Sequence, residues 1–117
     1  MIALAAAAVL AASPIDGVWA PDAAICRHGQ ELEDAPTIIR KGRMMQHEAE
    51  CRLGRLSPEG PGRWTAKGAC TVEGDRQPPG LFRFRLSGDV LRIREPDALA
   101  ERVMRRCPEP RHNPHRR

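Results

Sequence analysis

The sequence predicts an all-β fold, a small antiparallel barrel or curled sheet of about six to eight strands held by two disulfides. The chain has 117 residues, the length of one small domain. Short segments alternate between apolar and polar residues and are separated by turns rich in Gly and Pro. Four cysteines accompany only two Trp, two Phe and no Tyr, so a thin core needs cross-links.

Residues 1–12 are predicted to be a signal peptide. They contain no charged or polar side chain, and the run is shorter than the ~18 residues of a membrane span. The predicted cleavage follows Ala11 or Ala12, although no Lys or Arg precedes the apolar run. A buried N-terminal helix is the alternative, but this Ala-rich run has no polar face. We therefore expect a periplasmic or secreted protein with no further transmembrane segment.

The first strand is predicted around Gly17 and Trp19. A Gly-x-Trp opening resembles the lipocalin signature, in which the Trp closes one end of a barrel and an Arg near the last strand packs over it. Arg105 and Arg106 are available for that role. The alternative is a core Trp on an ordinary strand. Residues 21–36 are a polar segment that contains Cys26 and is predicted to be mostly loop.

Residues 37–72 predict three strands, at 37–40, 44–53 and 64–72. In the second strand we expect alternate side chains to point inward, namely Met45, His47, Ala49, Cys51 and Leu53. A β-bulge at Gly54 brings the inward side chains of the second and third strands into register.

The best-defined predicted hairpin has strands at 81–87 and 90–95 around the two-residue turn Gly88-Asp89. Its inner face pairs Leu86 with Leu91 and Phe84 with Ile93. Its outer face carries an arginine ladder, formed by Arg83, Arg85, Arg92 and Arg94. A closing strand at 102–107 completes the domain 13–107, and residues 108–117 are predicted to be a disordered basic tail.

The cysteines are predicted to pair as Cys51–Cys70 and Cys26–Cys107, one of three possible connectivities. The bulged register sets Cys51 opposite Cys70, whereas the other two cysteines lie near the two ends of the domain.

The distribution of positive charge along the chain indicates which kinds of partner the protein could bind. Residues 105–117 hold five Arg and one Glu, which accounts for the whole net charge of +4. This basic end and the arginine ladder favour an anionic envelope component or a periplasmic protein as partner. Nucleic acid is disfavoured because no aromatic side chain is expected among the ladder arginines on the outer face, where bases could stack. The sequence by itself favours a mixed-charge solvated surface for the ladder, neutralised by Glu48, Glu50 and Glu73, and an anion-binding surface is the sharper hypothesis.

The sequence does not predict an enzyme. It lacks the serine hydrolase, zinc protease and phosphate-loop motifs, and alternation sends His47 inward while Glu48 and Glu50 point outward. The cysteines lack the spacing of zinc sites. We therefore expect no catalytic residue, metal or cofactor, and the sequence gives no indication of the oligomeric state.

The mature chain also resembles the small exported four-cysteine β proteins of proteobacteria, a resemblance that implies fold and compartment rather than activity. The matching positions are Gly17, Trp19, Cys26, Glu50, Cys51, Trp64, Cys70, Gly88, Asp89, Leu91 and Cys107.

We expect an exported, non-enzymatic binding or interaction protein. One alternative is a lipocalin-like carrier of a small apolar ligand lined by Trp19, Met45, His47 and Trp64. Another is an inhibitor of an envelope hydrolase such as lysozyme. An inhibitor should show a protruding loop with exposed anchors, whereas a carrier should show an open apolar cavity.

Overall fold

The computed structural model describes residues 13–108. The predicted signal peptide at 1–12 and residues 109–117 of the predicted tail lie outside the described residues. A single 3-10 turn spans Ile25–Arg27. The strands, in chain order, are β1 (Gly17–Ala20), β2 (Thr37–Arg40), β3 (Arg43–Gln46), β4 (Ala49–Leu53), β5 (Ser57–Gly60), β6 (Arg63–Val72), β7 (Asp75–Arg76), β8 (Gly80–Ser87), β9 (Val90–Arg94) and β10 (Arg102–Arg106). Within this described part, no helix has the length and apolar character needed to cross a bilayer.

Eight strands form a closed antiparallel barrel in the order β1-β2-β3-β4-β6-β8-β9-β10. The ring closes where β1 pairs with β10, with Trp19 opposite Arg106. Strand β6 is long enough to pair with two strands on each side. Its first half lies between β5 and β8, and its second half between β4 and β7. The predicted all-β barrel is confirmed.

The hairpin of β8 and β9 has the predicted register. Leu86 pairs with Leu91 and Phe84 with Ile93 on the inner face. Gly88 begins the turn with a φ of +58°, a conformation that costs Gly little because it has no Cβ.

Both disulfides are confirmed, as Cys26–Cys107 and Cys51–Cys70. The predicted pairing of Cys51 with Cys70 and of Leu53 with Gly68 holds across β4 and β6. The register then shifts by one residue before Ser57, which lies opposite Thr65, so an extra residue does fall in the segment 54–56.

The prediction of one continuous strand at 44–53 is wrong. The chain instead reverses at His47 and Glu48, where Glu48 adopts a φ of +53°, and forms the hairpin of β3 and β4. A two-residue turn changes which alternate residues face inward. Met44 therefore lies inside, paired with Cys51, and Met45 lies on the outer face with Ile38.

The barrel interior is packed with apolar side chains. Phe82 and Phe84 stack with their ring centroids 6.3 Å apart. The buried cluster comprises Ile15, Trp19, Ile39, Met44, Cys51, Ala66, Phe82, Phe84, Leu91, Ile93 and Met104.

Two arginines of β10 cover the two ends of this core. Arg106 places its guanidinium carbon 4.3 Å from the centre of the Trp19 ring and donates a hydrogen bond of 2.9 Å to the carbonyl oxygen of Asp16. At the other end, Arg102 donates a 2.8 Å hydrogen bond to the hydroxyl of Thr37, which is fully buried. The arginine predicted to pack over Trp19 is therefore present, and it is Arg106.

Candidate functional site

Opposed arginines mark the outer face of β6, β8 and β9. Arg85 lies opposite Arg92 and Arg83 opposite Arg94, as the sequence predicts. Strand β6 adds Arg63, which lies opposite Arg85. We call these five residues the arginine face.

The register arranges the arginine face in two rows across the strands. The first row is Arg63–Arg85–Arg92, with one arginine from each strand. The second row has Thr65 in place of an arginine on β6, followed by Arg83 and Arg94. Since neighbouring strands lie about 4.8 Å apart, the first row spans about 10 Å.

No carboxylate of the described chain forms an ion pair with the arginine face. The ion pairs within 4 Å are Arg43–Glu50, Arg102–Glu95 and Arg106–Asp89, and the imidazole of His47 lies 3.7 Å from the carboxylate of Glu48. Glu48 and Glu50, which were expected to help neutralise the ladder, therefore contact other side chains. Glu73 lies in the turn between β6 and β7, where its backbone N–H donates to the carbonyl oxygen of Glu48.

Like charges opposite one another in a sheet are unfavourable by ~0.2–1 kcal/mol per pair. The arginine face contains three such pairs, Arg63 with Arg85, Arg85 with Arg92, and Arg83 with Arg94. This repulsion, unrelieved by ion pairs among residues 13–108, favours binding of an anion. Guanidinium groups suit this role because they form paired hydrogen bonds with carboxylate or phosphate groups.

Two shallow cavities flank the pair Arg63 and Arg85. One has a volume of about 230 Å³, and all three arginines of the first row line it. The other has a volume of about 310 Å³ and includes the carboxylate of Glu59 in its lining. Glu59 is held beside the second row by a 2.9 Å hydrogen bond from the Thr65 hydroxyl.

Sequence reasoning missed Arg63 as a member of this surface. Alternation along β6 places Trp64 inward and hence Arg63 outward. That pattern does not say which strand lies beside β6, and it is the pairing of β6 with β8 that brings Arg63 to the ladder.

The four residues predicted to line an apolar ligand site do not meet in one cavity. Trp19 is fully buried and lies beneath Arg106, whereas Trp64 lies opposite Phe84, is only partly buried and lines a cavity with Arg63. Met45 is on the outer face. His47 lies in the turn before β4, where its Nδ1 donates a 2.8 Å hydrogen bond to the carbonyl oxygen of Gln30.

The geometry around His47 also differs from the expectation. Because His47 lies in a turn, its Nε2 is 3.7 Å from a carboxylate oxygen of Glu48 rather than on the opposite side of a strand. Across residues 13–108, no three His, Cys, Asp or Glu side chains are grouped as metal ligands would be.

No family model matches the sequence, and searches of curated proteins and of solved structures gave no match either. The arginine face is therefore interpreted from the chemistry of its own residues. The two disulfides indicate an oxidising environment outside the cytoplasm.

Proposed function

We propose that this chain is an exported, non-enzymatic binding protein that holds an anionic component of the bacterial envelope on its arginine face. The supporting observation is the set of five arginines on adjacent strands, none paired with a carboxylate of the described residues. The two disulfides support this proposal, because they favour an oxidising compartment in which envelope polymers, lipid headgroups and proteins would be accessible.

The filled interior favours surface binding over carriage of a ligand within the barrel. Trp19, Phe82 and Phe84 are each at most 1% exposed, and they occupy the space that an enclosed apolar ligand would need. Small barrels of eight strands are generally just wide enough for their own side chains to fill.

The direct test measures binding of residues 13–108 to three anionic probes, namely heparin, phosphatidylglycerol vesicles and peptidoglycan fragments. Wild type should bind at least one of them at low salt and more weakly at moderate salt, because salt screens exposed charges. The variant Arg85→Ala with Arg92→Ala should bind that probe more weakly. Its thermal stability should equal or slightly exceed that of wild type, since two like-charge contacts are removed.

The matched control is Arg27→Ala with Arg40→Ala. These two arginines are also exposed, and their removal changes the net charge equally, but they lie on the 3-10 turn and on β2. The proposal requires the control to bind like wild type. It fails if wild type binds none of the probes, or if the two double variants bind equally.

A second candidate function is inhibition of an envelope hydrolase, and the connection between β9 and β10 supports it. Leu99 in this connection is 98% exposed, as an anchor for an enzyme cleft would be. Residual lysozyme activity should then fall as wild-type protein is added, and Leu99→Ser should abolish the effect. Unchanged lysozyme activity at saturating protein would reject this candidate for that enzyme.

A further inference from the structure

We infer that the first row of the arginine face, Arg63–Arg85–Arg92, is a track for a linear polyanion that lies across the strands. This inference rests on the proposed function and makes it more specific. It states that the ligand carries repeating phosphate or carboxylate groups, and that it contacts three strands at once.

The two rows differ in their surroundings, and the difference favours the first row. All three of its arginines line one cavity, of about 230 Å³, to which no acidic residue contributes. The second row has only two arginines, and the Glu59 carboxylate, held by Thr65, lies at its β6 end. Glu59 also lines a cavity with Arg63 and Arg85, but its carboxylate is held at Thr65 in the second row. A chain of negative charges that follows the cavity of about 230 Å³ along the first row therefore meets no acidic side chain in its lining.

The spacing of the first row favours a multivalent ligand. Its guanidinium groups project from positions about 4.8 Å apart on adjacent strands, so one small anion cannot neutralise all three. Once one group of a chain is bound, the next groups are held close to the remaining arginines, and the later contacts become effectively intramolecular. The chain should therefore bind much more tightly than its separate groups.

The residues around the track favour a polyanion without bases. Among the described aromatic residues, Trp19, Phe82 and Phe84 are buried, and the partly buried Trp64 lines the cavity beside Glu59 but not the cavity along the first row. A nucleic acid on the first row would find phosphate contacts, but no aromatic ring lines that cavity for its bases to stack on.

The inference is tested by calorimetry with inorganic orthophosphate, tripolyphosphate and long-chain polyphosphate at equal total phosphate. Alginate, a chain of carboxylates, is run in parallel to distinguish the two sources of negative charge. Two double variants are compared with wild type, Arg63→Gln with Arg92→Gln in the first row and Arg83→Gln with Arg94→Gln in the second. Each removes two positive charges from the same face, so each is the control for the other.

Long-chain polyphosphate or alginate should bind wild type, and orthophosphate should bind at least roughly 100-fold more weakly. The first-row variant should lose roughly tenfold or more in affinity for the chain, and the second-row variant less than about threefold. Matching unfolding curves show that both variants are folded.

The inference is overturned if both variants lose affinity equally, if orthophosphate binds as well as the chain, or if anionic vesicles bind while soluble chains do not. In these three cases the arginine face can still bind anions, so the proposed function stands. If heparin, vesicles and peptidoglycan fragments also fail to bind wild type, the proposed function itself is rejected.

Discussion

Removing the two disulfides one at a time should destabilise the protein by different amounts. The bond Cys26–Cys107 joins residues 81 apart in sequence, and Cys51–Cys70 joins residues 19 apart. In the chain-entropy model these separations correspond to ~4.5 and ~3.2 kcal/mol of unfolding free energy, since a longer closed loop restricts the unfolded chain more. We therefore expect the double variant Cys26→Ala with Cys107→Ala to be the less stable by ~1.3 kcal/mol.

The assay is guanidinium-induced unfolding monitored by Trp fluorescence, with wild type and both double variants at one pH. Alanine is used at each position because Cys51 and Cys107 are buried, and a serine there would bury a hydroxyl. Without the Cys26–Cys107 bond the unfolded chain should also be more expanded, which raises the slope of the unfolding free energy against denaturant concentration, the m-value. The reasoning is refuted if the variant lacking Cys51–Cys70 is the less stable, or if neither variant alters the m-value.

Three further predictions concern processing, the core and the barrel end. Protein purified from native cells should begin near residue 12 or 13 by intact mass, and a chain still beginning at residue 1 would contradict export. Phe84→Ala should lower the unfolding free energy by ~3–5 kcal/mol because Phe84 is buried, whereas Leu99→Ala at an exposed site should change it by at most ~0.5 kcal/mol. Arg106→Ala should cost ~1–2 kcal/mol through the lost contact with Trp19, and equal stability of Arg106→Ala and the exposed-site control Arg105→Ala would reject that contribution.

Local sequence patterns predicted the parts of the fold that depend on neighbouring residues. The Gly88-Asp89 turn has a length of two, which fixes the register of β8 and β9. Alternation on β4 and β6, together with the inferred bulge at Gly54, likewise predicted that Cys51 lies opposite Cys70 and forms a disulfide with it.

The error at 44–53 has a physical cause. The turn between β3 and β4 uses His47 and Glu48, and neither is a residue that typically marks a hairpin. Glu48 adopts a positive φ, which a sequence pattern predicts reliably only for Gly, Asn or Asp. Residues on both sides of the turn still alternate, so the uninterrupted pattern resembled one long strand.

Four of the five arginines of the candidate site were predicted from the sequence, because they lie on one hairpin. A hairpin brings the four ladder arginines together, and these were identified from sequence. The fifth, Arg63, depends on which strand lies beside β8, and the fit of the whole barrel decides that choice. The expectation that glutamates neutralise the ladder was wrong for the same reason, because Arg63, and not the carboxylate of Glu73, lies beside the ladder.

The pairing of β1 with β10 determines when the fold can form. The first strand finds its final partner only after the last one has been synthesised, because Trp19 lies opposite Arg106. Folding that depends on such distant contacts is slow, and until the ring closes, β1 and β9 each keep an unpaired edge. Exposed edges can pair with other chains, so a newly made molecule is most prone to aggregation in the interval before β10 is in place.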